Sequence, residues 1–98
     1  MNSKLLTIAN HYGLKAQLKK TIEELHEVET EINIALYNDC QNINELAEEI
    51  ADVYNMLEQL EFLLGIKSSV TGQRNYKIDR TLRRIAEEKS RRAEGDVL

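Results

Sequence analysis

Two stretches of this chain, Leu14 to Tyr37 and Ile43 to Leu64, repeat apolar residues at helical spacing, and both carry acids against that apolar pattern. An α-helix turns roughly 100° per residue. With Glu49 as origin, Leu46, Ile50, Val53, Met56, Leu57, Leu60, Leu63 and Leu64 fall between about −40° and +100°. Glu49 thus sits inside an apolar arc, with Asp52 just off its edge at about −60°. With Glu24 as origin, Leu14, Leu18, Ile22, Leu25, Val28, Ile32, Ala35 and Leu36 fill about +20° to +160°. Glu24, Glu27 and Glu31 run along the border of that arc, at about 0°, −60° and −20°. A carboxylate facing a core is costly unless it is paired, hydrogen-bonded or bound to a metal. Packing the two helices through these arcs collects four or more carboxylates, whose repulsion forbids the cluster without a cation among them. A divalent metal site is expected.

The 98 residues lie near the lower limit for a self-sufficient core, so one domain spanning 1–98 is expected. Proline is absent, and no β-branched alternation survives more than a few residues. The fold class is all-α: an antiparallel helical bundle with a short first helix, two long core helices and a charged C-terminal helix. Apolar arcs this wide in so short a chain predict that association completes the core. The 13 Lys and Arg against 17 Asp and Glu give a formal charge of −4, which argues against a nucleic-acid binder. The single Cys40 excludes an internal disulfide and fits a reducing compartment. With no signal-like apolar run and no stretch near the ~20 apolar residues of a membrane span, a soluble cytoplasmic protein is expected.

In chain order, Ser3 to Tyr12 reads as a short helix with Ser3 as N-cap and Gly13 as stop. The two long helices follow, from about Leu14 to Tyr37 and from about Ile43 to Leu64. Between them Asn38-Asp39-Cys40-Gln41 is a polar break short enough for an antiparallel return. Asn42 and Glu45 have capping-box spacing, and Gly65 ends the third helix. Ile66 to Gly72 reads as a loop, without the glycine pattern or G-K-[ST] ending of a phosphate loop. A last helix is expected from about Arg74 to Glu94, lying over the bundle on a narrow stripe of Ile78, Leu82, Ile85 and Ala86. Residues 94–98 read as a frayed tail.

Magnesium prefers hard oxygen ligands and keeps several waters, so a few carboxylates on rigid helices suffice to hold it. Residues three apart on a helix are neighbours, so Glu24 with Glu27, and Glu49 with Asp52, can share one ion or flank two. Glu23-Glu24-x-x-Glu27, followed after residues 28 to 48 by Glu49-x-x-Asp52, resembles the E-E-x-x-E … E-x-x-D signature of the MazG-like all-α nucleoside triphosphate pyrophosphatases. That family includes relatives of the dimeric dUTPases and the dCTP pyrophosphatases. The resemblance covers the two long helices, extends upstream through Tyr12-Gly13-Leu14-x-x-Gln17-Leu18, and is closest to the short stand-alone members of bacteria and phages. It implies that Glu24, Glu27, Glu49 and Asp52 ligate Mg2+, with Mn2+ as a substitute. It also implies that Glu23 or Glu27 is the catalytic base in cleaving a nucleoside triphosphate to monophosphate and pyrophosphate. A homodimer or homotetramer is implied as well.

Candidate substrate contacts are Gln17, on nearly the bearing of Glu24, and Asn55, one turn after Asp52. Lys67, Arg74 and Lys77 are candidate phosphate ligands, within a basic set that also includes Arg80, Arg83 and Arg84. Glu29 departs from the family pattern, standing where relatives often carry an aliphatic residue. His26 points away from the carboxylates, and Cys40 has no flanking base for nucleophilic chemistry. Two alternatives stand beside the enzyme: a non-catalytic helical assembly protein whose acids are held by Arg and Lys, and a degenerate relative that binds nucleotide without turnover.

Overall fold

The computed structural model describes residues 2–97. It consists of four helices, α1 (Ser3–Tyr12), α2 (Leu14–Tyr37), α3 (Ile43–Leu64) and α4 (Lys67–Val97), with no strand among the described residues. The chain divides into two compact units, the first ending at Gly65 and the second beginning at Ile66.

In the first unit α2 packs along α3, and α1 packs against both. The hairpin is antiparallel, because cross-helix partners run in opposite senses: the Gln17 amide donates to Gln59, while Asn42 reaches back to Glu31. Gly13, at φ 84°, closes α1 and opens α2, a conformation that a Cβ would strain. Gly65, at φ 66°, is the left-handed terminator of α3. The α2–α3 turn places two successive non-glycine residues, Asp39 and Cys40, at positive φ.

Two of the expected caps are corrected. The N-cap of α1 is Asn2 rather than Ser3: its Oδ1 accepts a bond from the Lys4 N–H at 2.8 Å. Asn42 makes no side-chain cap on α3, so the capping box with Glu45 is not formed. Its amide instead donates across the hairpin to the Glu31 carbonyl at 3.0 Å and to Glu31 Oε2 at 2.6 Å. The side chain is oriented by this charge-assisted donation to the carboxylate, and its Oδ1, the atom a cap would use as acceptor, is left buried without a partner among the described residues.

The seam between α2 and α3 follows the alternating three- and four-residue spacing of a coiled coil. On α2 it comprises Gln17, Thr21, Glu24, Val28, Glu31 and Ala35; opposite them stand Asn42, just before α3, and Leu46, Glu49, Val53, Met56, Leu60 and Leu63 of α3, all buried or half-buried. Glu49 is thus on the inward face, as its position in the apolar arc requires. The seam of α2, however, is centred near Glu24, about 70° from the middle of that helix's apolar arc. Among the described residues of the first unit, α2 does not pack through the arc itself. Leu18, Leu25 and Ile32 remain exposed on it, Ile22 is 69% and Leu36 74% exposed. Part of the polar seam is satisfied within the hairpin. Gln17 and Gln59 bond to each other at 2.8 Å, and Thr21 Oγ1 donates to the Gln17 carbonyl at 2.6 Å. The buried apolar residues are few: Leu5 and Ala9 of α1, Ala35 of α2, Val53 and Met56 of α3.

In an antiparallel pair the flanks at positive angles on both helices face the same side. The exposed Ile43, Ile50, Tyr54 and Leu57 of α3 therefore continue the exposed apolar flank of α2. Glu27 and Asp52, both at about −60°, lie on the opposite side of the seam.

The second unit is α4. The expected loop from Ile66 to Gly72 is overturned, because the helix is continuous from Lys67 through Gly72. A single glycine costs about 1 kcal/mol in a helix interior, too little to break a helix of 31 residues that contains no proline. At its other end α4 extends to Val97, while Leu98 lies outside the described residues. Ile78, Leu82 and Ile85 are exposed on α4, and the Arg80 guanidinium lies over the Tyr76 ring at 5.9 Å. No helix is long and apolar enough to cross a membrane among the described residues.

Candidate metal centre

Glu24 and Glu27 stand one turn apart on α2, and Glu49 and Asp52 one turn apart on α3. The antiparallel seam sets the two pairs face to face. Each of the four carboxylates offers one oxygen, and these oxygens all lie within 4.8 Å of one another. Opposite ligands of one octahedral Mg2+ are about 4.2 Å apart, given bonds of about 2.1 Å, so the four groups need little movement to share an ion. Glu24 is 6% exposed, Glu49 half-buried, and Glu27 and Asp52 open to solvent. The site is anchored inward and accessible outward.

Two observations show what the cluster lacks. The Oε2 atoms of Glu24 and Glu49 are both buried with no hydrogen-bond partner among the described residues. Buried carboxylate oxygens without a donor are costly, and a cation satisfies both together. The Glu49 carboxyl is pushed up to about 7, first by the hydrogen bond it shares with Glu27, then by burial, then by the charges of Glu27, Asp52 and Glu24. A carboxyl held near neutrality by its acidic neighbours is the signature of like charges crowded together. The residues present fit a hard divalent ion.

Glu23, the auxiliary acid of the motif, is not among the four. It is exposed, 3.5 Å from the Lys20 ammonium, and lines a groove of about 530 Å³ with Ile8, Tyr12, Ala16, Gln17, Lys19, Lys20 and Met56. Ala16 and Glu23 lie at about −80° and −100° on α2, on the same side of the seam as Glu27 and Asp52. Groove and carboxylate cluster thus share one face of the hairpin.

Gln17 reaches the groove wall but is 5% exposed and donates its amide to Gln59, so its first duty is to the seam. Asn55 is exposed one turn beyond Asp52, and its carbonyl accepts a bond from Gln59. Lys67, Arg74 and Lys77 belong to the second unit; Arg74 and Lys77 line a shallow hollow on α4 with Ile66, Ser69, Val70 and Gln73. His26 is exposed and 3.9 Å from Glu29, and Cys40 is an exposed free thiol.

Two residues escape the sequence reasoning. Lys20 Nζ lies 3.2 Å from Glu24 Oε1, and its spacing of four residues before Glu24 and three before Glu23 is the signal that could have found it. Those two acids also raise the pKa of Lys20, the hydrogen bond to Glu24 most of all. Gln59, 3% exposed, carries no such signal, because its partner lies 42 residues away. Comparison of the chain with protein-family models, with curated proteins and with solved structures finds no match in any of the three.

Proposed function

We propose that this chain is a magnesium-dependent nucleoside triphosphate pyrophosphatase that removes unwanted or excess nucleotides from the cytoplasmic pool. The observation that carries the proposal is the convergence of Glu24, Glu27, Glu49 and Asp52 within 4.8 Å, with two of their oxygens buried and unpartnered. Ion-paired acids of an assembly protein would have cations against them; here, among the described residues, Lys20 alone is within ion-pair distance of the four.

Magnesium held by these four carboxylates would neutralise the triphosphate and favour ionisation of the attacking water. The chain's own residues do the rest. The groove beside the cluster takes the nucleoside end, which lays the phosphates over the carboxylates. Water attacks the α-phosphorus, the bond to the bridging α–β oxygen breaks, and pyrophosphate departs with that oxygen. The water's proton passes to a carboxylate. Glu23 is the better placed of the two candidate bases, since it borders the groove and stands outside the cluster, whereas Glu27 is engaged with Glu49.

A second copy of the chain is the proposed cover for the apolar flank of α2 and α3. Leu18, Ile22, Leu25, Ile32, Ile50, Tyr54 and Leu57 form a face on the side of the hairpin away from the cluster, so a homodimer or homotetramer can bury it and leave the site open.

The test is pyrophosphate release over a panel of canonical and modified ribo- and deoxyribonucleoside triphosphates, with Mg2+ and with chelator. Metal-dependent release from at least one of them is expected. Turnover of none at any metal concentration removes the enzyme.

A further inference from the structure

Lys20 belongs to both parts of this face. Its ammonium is 3.2 Å from Glu24 Oε1 and 3.5 Å from Glu23 Oε2, and the residue lines the groove. The carboxylate it holds most closely is the most buried of the four and, with Glu49, one of two with an unpartnered buried oxygen. The lysine side chain itself is 51% exposed, so the ammonium swings on a flexible stem with solvent on one side. Any cation entering the cluster draws on the same Glu24 charge that Lys20 uses. An anionic ligand lying along the groove toward the cluster passes within reach of the released ammonium.

We infer that Lys20 is a phosphate-binding residue that trades Glu24 for the ligand's phosphate: it opposes the metal in the free protein and secures the triphosphate once the metal is bound. The inference rests on the proposed metal site, and it assigns a role to a side chain outside the acidic motif. It predicts effects of opposite sign from one substitution, which a solvent-facing helix pair would not produce.

The experiment uses the whole protein with Lys20→Met, which keeps the stem and removes the charge, and Lys20→Arg, which restores the charge. Mn2+ affinity is read by electron paramagnetic resonance without phosphate, and inorganic tripolyphosphate affinity is read by calorimetry at saturating Mn2+. Neither readout needs turnover, so the two affinities decide the role of Lys20 even in a parent that hydrolyses nothing. Lys20→Met is expected to bind Mn2+ about two- to fivefold more tightly, the scale of a half-exposed ion pair. It is expected to bind tripolyphosphate about tenfold more weakly, the scale of a lost hydrogen bond to a charged group. Lys20→Arg should return both constants toward the parent. If the parent binds Mn2+ and Lys20→Met moves neither constant, or moves both in the same direction, the inference fails and the metal site stands. If the parent binds no Mn2+, the metal site fails and the inference falls with it.

Discussion

The Gln17–Gln59 bond is the most exposed to a quantitative test, because both side chains are buried and each is the other's partner across the hairpin. Gln17 is 5% and Gln59 3% exposed, with 2.8 Å between Nε2 of the first and Oε1 of the second. Gln17→Leu strands the Gln59 oxygen in the seam, and an unsatisfied buried acceptor costs about 1–3 kcal/mol. Gln59→Leu strands the Gln17 amide at a similar cost of about 1–3 kcal/mol and also removes a bond to the Asn55 carbonyl, which stays within α3. In the double variant both polar groups are replaced by leucines of comparable size, so the penalty largely cancels. Each single substitution should lower the melting temperature by about 4–24 °C, at roughly 4–8 °C per kcal/mol for a domain of this size. The double variant should lie within a few degrees of the parent. Denaturant melts of all four proteins at fixed protein concentration give the coupling energy, whose magnitude is the sum of the two single penalties, about 2–6 kcal/mol. Two neutral single substitutions, or a double variant equal to their sum, would refute a structural role and return Gln17 to the groove as a ligand contact.

The Glu49 carboxyl lies above its unfolded value of 4.5, at about 7, so the native state binds the extra proton: metal-free stability should fall as pH rises from about 4.5 to about 7 and level off above, and Glu49→Gln should flatten that slope in pH-dependent melts. Asn42→Ala removes two cross-hairpin bonds, one to the Glu31 carboxylate, and should destabilise the protein by about 2 kcal/mol in urea titrations, while Glu45→Ala, with no capping box to lose, should cost under about 0.5 kcal/mol. Sedimentation should find the parent as a dimer or tetramer at low micromolar concentration, and Ile22→Glu with Leu25→Glu should shift it toward smaller species; a stable folded parent monomer would contradict the proposed cover for the apolar flank.

Much of the hairpin is legible in the sequence. The ends of α2 and α3 follow from apolar periodicity interrupted at Gly13, Asn38 and Gly65, each a residue whose backbone tendencies differ from its neighbours'. The four carboxylates are legible because helical angles depend on sequence spacing alone, and Glu49 inside an apolar arc has few physical excuses. What stays hidden depends on partners. The seam of α2 runs through Gln17, Thr21 and Glu24, where Gln17 is satisfied by Gln59, Thr21 by a backbone carbonyl and one oxygen of Glu24 by Lys20, and satisfaction across 42 residues leaves no local trace. An apolar arc also marks what some surface must cover, without saying whether that surface belongs to the same chain. Asn42 is suited by type to cap α3, yet its side chain is oriented by donating its amide N–H to Glu31 across the hairpin, a partner that local spacing does not reveal. The segment Ile66 to Gly72 reads as a loop because of its serines, threonine and glycine, which favour turns only weakly when neither proline nor a left-handed glycine enforces one.

Whether the four carboxylates hold a metal or a set of ion pairs is decided by magnesium titration of the parent and Glu49→Gln, read as melting temperature. In the absence of metal, Glu49→Gln should be as stable as the parent or more so, since it relieves the crowding of Glu24, Glu27 and Asp52. At a magnesium concentration about 100 times the dissociation constant, mass action should stabilise the parent by about 2.7 kcal/mol, on the order of 10–20 °C, and the variant much less. A loss of metal-free stability in Glu49→Gln, with no response to magnesium in either protein, would contradict the metal site and the pyrophosphatase with it.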